Sequence, residues 1–272
     1  MISMLLALAG LLITLEQHAA SVQGEGAMLL LEHSDNATFT ATSFLLDRRE
    51  TVQWARNGTV IVDSQYAGGN TARARNFAEQ FGLRVLATDA PPAAAFELHR
   101  PRVAVVRSRW VEWLLNEYKV PFTPIEGGAG LRTRFDSIVL AGASTMDSLA
   151  TFVREGGTLV AIGDGARFAI RNLALPVTVT SVAGASAHFD VTHPVAFGMP
   201  AEATIFGAVM TFDVKGAARP VATLGNAAVL LDYPLGRGRV LLFGFEPQYR
   251  GEAHNTFRLL LNAVYWASSQ RL

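Results

Sequence analysis

The C-terminal stretch constrains the fold most. It reads YPLGRGRVLLFGFEPQYRGEAHNTFRLLLNAVYWA from Tyr233 to Ala267. Gly236 and Gly238 permit a tight turn between two extended runs, Val229–Tyr233 and Val240–Phe245. The second run is continuous Val, Leu and Phe, which suits a strand covered on both faces. Polar residues follow at once: Glu246, Gln248, Tyr249, Arg250, Glu252, His254 and Asn255. A helix is predicted next, with Phe257, Leu260, Leu261, Val264 and Tyr265 at core spacing. A buried strand that delivers polar groups to its C-terminal end, just before a helix, is where open α/β sheets place ligands.

Composition sets the outer limits. The 272 residues are 50% hydrophobic, enough for one large or two modest domains with a real core. The formal net charge is zero, so no basic surplus is available to neutralise nucleic-acid phosphates. No cysteine is present. Disulfides, thiolate catalysis and Cys-ligated zinc are therefore excluded, though no cellular compartment is chosen by this.

The N-terminus has two readings. Met4–Leu15 is an uncharged apolar run, too short to span a bilayer comfortably. It suits a signal-peptide core with Ala19-Ala20-Ser21 as small residues for cleavage, and export to the periplasm or exterior would follow. No Lys or Arg precedes the run, so a buried helix, or the remnant of a longer chain, in the cytoplasm is the other reading. No transmembrane anchor is expected.

Strand and helix signals alternate along the rest. Met28–Glu32 is predicted as a strand. Ser34, Asp35 and Asn36 can cap a helix over Ala37–Ala55, with Phe39, Leu45, Leu46 and Trp54 on its inner face. Asn57-Gly58 is a turn before a strand at Thr59–Val62. Asn70 opens a helix over Thr71–Phe81, which Gly82 ends, and Leu83–Ala87 is a strand. Asp89–Phe96, rich in Pro and Ala, is expected to be a linker.

A second series runs from Arg102. Strands are predicted at Arg102–Val106, Val120–Ile125, Ser137–Leu140 and Thr158–Ile162. Helices are predicted at Trp110–Tyr118, Thr145–Glu155 and Ala166–Leu173. Val177–Val214 is extended, punctuated by His193-Pro194, Gly198 and Pro200. The alternation implies a mainly parallel sheet with helices on both sides. The expected organisation is an apolar segment at 1–26, an αβ lobe at 27–96 and a larger α/β domain at 97–272.

Four stretches carry a family likeness: Pro101–Ile125, Phe152–Ile170, His193–Gly207 and Gly236–Val264. They resemble the C-terminal region of large bacterial proteins of the zinc carboxypeptidase (metallocarboxypeptidase) family. In those proteins this region looks like a class I glutamine amidotransferase-like, flavodoxin-like domain behind the peptidase. The resemblance implies a three-layer α/β sandwich with a C-terminal hairpin and, for this chain, an N-terminal αβ extension.

The departures from the family matter as much. Zinc peptidase chemistry needs His and Glu three apart plus a distant His. None of the six histidines (His18, His33, His99, His188, His193, His254) has Glu three residues on. The amidotransferase reaction needs a Cys at a strand-to-helix elbow, aided by His and Glu. The elbow equivalent is Ile162-Gly163-Asp164-Gly165, with Asp164 aligned to the thiol. The family's loop F-G-F-R-P-Q-H-R carries Glu246 and Tyr249 here, and Glu246 weakens a transferred anion site.

The candidate ligand residues are Asp164, Arg250, His254 and Glu246. Asp164 is either a ligand-facing carboxylate on a strained turn or a helix N-cap. Arg250 and His254 either hold an anionic or carbohydrate ligand or form a structural bracket, Arg250 pairing Glu246 or Glu252. His193-Pro194 with Gly198 is expected to be a loop clamp rather than a metal site. Gly236-Arg237-Gly238-Arg239 lacks the Lys-Ser/Thr ending of a phosphate loop and is expected to be a hairpin turn. Trp110 and Trp113 serve either the core or sugar stacking.

The expectation is a non-catalytic accessory domain that binds peptide or glycan, or packs on a peptidase domain or chain. It uses no cofactor or metal and binds no nucleic acid. The alternative is a fragment of a full metallocarboxypeptidase whose catalytic domain lies outside this sequence.

Overall fold

The computed structural model describes residues 20–272 except positions 143, 145, 147 and 185. The apolar run Met4–Leu15 and Ala19 of the small-residue site lie outside the described residues, as do positions 145 and 147 of the helix expected at Thr145–Glu155.

The first lobe contains β1 (Ser21–Gly24), β2 (Met28–Leu31), α1 (Ala37–Asp47), β3 (Thr51–Ala55), β4 (Val60–Asp63), α2 (Thr71–Phe81), β5 (Arg84–Thr88) and β6 (Ala94–Glu97). Local chemistry defines α2. Asn70 accepts a hydrogen bond from the Arg73 amide at 2.9 Å, and Gly82 closes the helix at φ 67.

The helix expected over Ala37–Ala55 is half as long. It stops at Asp47, Arg49 turns back at φ 63, and β3 follows. Val52 and Trp54 are buried in β3, so an alternating pattern overrode the helical spacing in which Trp54 also fits. The expected linker at Asp89–Phe96 also contributes β6.

The second series begins with β7 (Val103–Val106), α3 (Arg109–Glu117), β8 (Phe122–Ile125), α4 (Leu131–Arg134), β9 (Ser137–Leu140), α5 (Leu149–Arg154), β10 (Thr158–Ile162) and α6 (Asp164–Asn172). Then come β11 (Val177–Val182), β12 (Ser186–Phe189), β13 (Glu202–Thr204), β14 (Val209–Val214), β15 (Arg219–Leu224), β16 (Ala227–Leu235) and β17 (Gly238–Phe243). The chain ends in α7 (Phe257–Ser268) and β18 (Gln270–Arg271).

Two sheets result. The first has order β1-β5-β2-β4-β3-β6-β18 and is antiparallel except for β1 with β5. The second contains five parallel strands in order β8-β7-β9-β10-β17. Numbered from its own start this is 2-1-3-4-5, the flavodoxin-like order. The hairpin partner β16 joins β17 antiparallel and carries the outer strands.

Alternation along the parallel strands splits the core in two. Val103, Val105, Val139, Leu241 and Phe243 face a cluster that includes α3, α7 and the first lobe. Ala104, Ile138, Leu140, Leu159, Ala161, Val240 and Leu242 face α5 and α6. The sheet is thus the middle of a three-layer sandwich.

α7 joins this sandwich to the first lobe. Every residue from Phe257 to Tyr265 is buried. The Tyr265 hydroxyl lies 2.6 Å from the Ser43 hydroxyl on α1. Asn262 donates to the Val195 and Phe197 carbonyls, at 3.1 and 2.9 Å, within the His193–Gly198 clamp. That geometry turns its Oδ1 toward His33, at 2.6 Å from Nε2. His33 Nδ1 faces the Gly58 carbonyl at 2.7 Å. Both ring nitrogens meet acceptors, which favours a protonated ring, and the Arg258 charge opposes it. Burial is the largest effect and lowers the His33 pKa to about 4.

The consequence is an acid-labile junction. An unfolded histidine titrates near 6.5 and the buried one near 4. Between these values the unfolded chain takes up a proton that the folded chain refuses, so stability falls as pH drops through the window. The full loss from this group is about 3 kcal/mol. Urea unfolding across that window is expected to show the decline, and His33→Gln to flatten it. A wild-type profile that is level or rises on acidification contradicts the assignment.

Candidate functional site

The C-terminal ends of the parallel strands define one edge of the sandwich. The order reverses between β7 and β9, which makes the loops after those strands the topological switch point. Arg107 Nη2 and Glu126 Oε1, following β7 and β8, pair at 2.6 Å on this edge. β10 and β17 stand next in the sheet and deliver the elbow and the polar loop.

The elbow differs from expectation in one position. Gly163, not Asp164, occupies the strained turn, with φ 56 and ψ −120. Its amide donates to the Phe243 carbonyl at 3.0 Å, and its own carbonyl receives the Ala166 amide at 2.9 Å. A Cβ added at Gly163 would meet nothing within 4 Å. A side chain at the apex would therefore project into open space, which is the placement a nucleophile elbow needs. Glycine has none to project.

Asp164 is the first residue of α6. It makes no capping hydrogen bond, so the N-cap role falls to Gly163. Its side chain is 80% exposed, with Oδ1 3.9 Å from Arg167 Nε one turn on. Gly165 has the opposite environment. A Cβ there would lie 2.1 Å from the Leu140 carbonyl oxygen, because α6 starts hard against the end of β9. The two glycines of Gly163-Asp164-Gly165 thus serve a bend and a close approach.

Glu246 follows β17. Its amide donates to the Phe206 carbonyl at 3.2 Å. Partial burial raises its carboxyl pKa, the Arg250 charge opposes that, and the Asp164 charge adds to it. Asp164, Glu246 and Arg250 accordingly share one electrostatic neighbourhood. Arg250 is exposed, left-handed at φ 48, with its guanidinium 5.0 Å from the Tyr249 ring. Tyr249 stacks on Phe206 at 6.2 Å. Among the described residues no ion pair closes Arg250 onto Glu246 or Glu252, so the expected bracket is not formed as a contact.

His254 is placed differently. It is exposed, its ring rests on Phe257 at 4.8 Å, and its carbonyl accepts from Asn36 of the first lobe at 2.8 Å. Among the described residues no hydrogen bond or ion pair joins it to Asp164. Thr256, rather than His254, precedes α7 as its cap residue.

Two residues outside the named candidates belong to this edge. Trp110 and Trp113 of α3 are half-buried, 6.3 Å apart edge to face. The loop presses on them: a Cβ at Gly251 would be 3.2 Å from Trp113 and 3.3 Å from Trp110. The combination of an exposed and a half-buried carboxylate, a guanidinium and aromatic faces suits reversible binding of a polar ligand.

No protein-family model and no curated protein matches the chain. Solved structures do. A cytoplasmic protein from Salmonella typhimurium aligns over 61% of this chain and 98% of its own, with 16% identity and a TM-score of 0.47. A glutamine amidotransferase from Thermotoga maritima aligns over 62% and 99%, with 13% identity and a TM-score of 0.44. A β-galactosidase from Bacillus circulans sp. alkalophilus aligns over 72% of this chain and 35% of its own, with 11% identity and a TM-score of 0.43. The flavodoxin-like, amidotransferase-like description of the fold stands on the strand order and the elbow.

The elbow geometry is testable by stability alone. Gly163→Ala is expected to lose about 1–3 kcal/mol through backbone strain, although its methyl has room. Gly165→Ala is expected to lose at least as much through the clash with the Leu140 carbonyl, at about 1–3 kcal/mol or more. Urea denaturation of both variants measures this. Wild-type stability in either one refutes the corresponding geometry.

Proposed function

We propose that this chain is a non-catalytic, ligand-binding amidotransferase-like domain. The observation that carries the reading is Gly163: the elbow holds the bend that would present a nucleophile, and the apex residue has no side chain. The absence of cysteine from the sequence agrees with it. The ligand is a peptide or a glycan, held at the C-terminal edge by Asp164, Glu246 and Arg250, with Trp110 and Trp113 alongside. His254, on the side facing the first lobe, extends the site toward Asn36.

The likeness of the four segments to the region behind zinc carboxypeptidase domains supports an accessory role beside a peptidase domain or chain. In the same reading residues 27–96 form an added lobe and residues 97–272 the amidotransferase-like unit. The second reading, a fragment of a complete metallocarboxypeptidase, rests on those same segments. An in-frame peptidase domain in the upstream genomic sequence decides for it.

The binding reading is tested by calorimetric titration of the full chain with peptide and glycan panels. Arg250→Ala and Glu246→Ala are expected to weaken whichever ligand binds by about tenfold. Arg250→Ala should leave the unfolding midpoint unchanged, because that side chain is exposed. Affinities unchanged in both variants overturn the site. Release of ammonia from glutamine by the purified protein overturns the non-catalytic assignment.

A further inference from the structure

A second recess lies at the opposite edge of the parallel sheet. Its volume is about 710 Å³, and it sits between the two lobes. The starts of β10 and β17 form one wall through Thr158, Gly238 and Arg239, and β6 and β18 of the first sheet form another. Five arginines line it: Arg56, Arg219, Arg237, Arg239 and Arg271. Asp232 carries the one carboxylate side chain among the lining residues.

The arginines come from separate parts of the chain. Arg56 follows β3, Arg219 opens β15, Arg237 sits in the β16–β17 turn, Arg239 is on β17 and Arg271 on β18. The turn is the one expected at Gly236-Arg237, since Leu235 pairs with Gly238. Arg219, Arg237 and Arg239 have partners of their own in the fold, but no local structural need adds Arg56 and Arg271 to them. Like charges around one recess repel, and the repulsion grows as water is excluded. The preference for arginine over lysine carries no weight, because Lys119 and Lys215 are the chain's only lysines. The convergence carries the argument, in a molecule whose 23 basic and 23 acidic residues otherwise balance.

Part of the cluster is rigidly held. The Arg239 guanidinium lies 3.9 Å over the Trp266 ring and donates to Asp232 Oδ2 at 2.8 Å. Asp232 is fixed in turn by His193, whose side chain is only 2% exposed. The Val195 amide donates to His193 Nδ1 at 3.2 Å, so the ring proton is on Nε2, which faces Asp232 Oδ2 at 3.3 Å. This buried support fixes the orientation of Arg239 before any ligand arrives. Arg219 is held by Asp190 and Thr192 on a neighbouring wall. Arg56 and Arg271 have no ion pair or side-chain hydrogen bond among the described residues.

We propose that this inter-lobe recess is a binding site for a small polyanion bearing closely spaced phosphate or carboxylate groups. Both groups match the arginine fork, and two or more negative charges would offset the cluster. The Thr158 side chain at the recess adds a hydroxyl donor, whereas the Thr192 and Ser269 hydroxyls already donate to Asp190 and to the Trp266 carbonyl. The site is on the far edge from Asp164 and Glu246, so it stands or falls independently of the function proposed above.

The test is calorimetric titration of the full chain, at low ionic strength, with inorganic pyrophosphate and separately with citrate. One of the two is expected to saturate a single site, and which one binds separates phosphate from carboxylate recognition. The double variant Arg56→Ala/Arg271→Ala is expected to weaken binding by about tenfold. Its unfolding midpoint should stay put, because neither side chain is tied into the fold. Arg75→Ala, which removes an exposed charge from α2, should bind as the wild type does. The proposal is overturned if neither anion binds, if the double variant binds as the wild type, or if Arg75→Ala weakens binding equally.

Discussion

The burial of α7 is the constraint on which the rest of the molecule depends. A helix covered all round must have partners on every side, and here they come from both lobes. The parallel sheet takes one side, and the first lobe and the His193–Gly198 clamp take the others. The helix is apolar except for Arg258 and Asn262 in its buried stretch; Asn262 donates to the Val195 and Phe197 carbonyls and Arg258 Nη1 to the Gly198 carbonyl, while Arg258 Nε is left without a partner among the described residues. Buried polar groups of that kind are costly unless partnered, so they fix how the lobes meet. Both proposed binding surfaces lie near the ends of this helix. The loop with Glu246, Tyr249 and Arg250 leads into its start, and Trp266, Ser269 and Arg271 of the arginine recess follow from its end.

Where structure is set by neighbouring residues, it could be read from the sequence. The α2 helix is the clearest case, because its Asn70 cap and Gly82 terminator act within the segment itself. The β16–β17 hairpin was equally legible, through the glycine at the turn and the Val/Leu/Phe run after it. Trp54 was not. Its spacing from Leu45 and Leu46 fits a helix, while its burial in β3 depends on β4 and β6, which lie elsewhere in the chain. The pairing of β18 with β6 joins Gln270 to Glu97 and Arg271 to Phe96, far apart in the sequence, and no local pattern announces it. The antiparallel character of the first sheet was hidden for the same reason.

The candidate site was legible as an edge and less so as a geometry. The polar run after a buried strand does lie at the C-terminal side of the sheet. At the elbow, alignment by sequence put Asp164 in the place of a thiol, whereas the backbone gives that place to Gly163. The available signal was the glycine itself, since a bend with positive φ at a strand end favours the residue without a Cβ. The arginine recess lay beyond sequence reading altogether. Its five cations are scattered from Arg56 to Arg271, and each alone is an ordinary surface charge. Only the docking of the lobes through α7 makes them neighbours.

That docking predicts a specific unfolding behaviour. Trp54 belongs to the first sheet, while Trp110, Trp113 and Trp266 belong to elements of the second series. The most direct measurement is urea unfolding of a variant that keeps Trp54 and has the other three replaced by Phe, followed by fluorescence and by far-ultraviolet circular dichroism together. If α7 binds both lobes into one cooperative unit, the two signals trace a single coincident transition. A Trp54 transition separated from the loss of secondary structure contradicts the account.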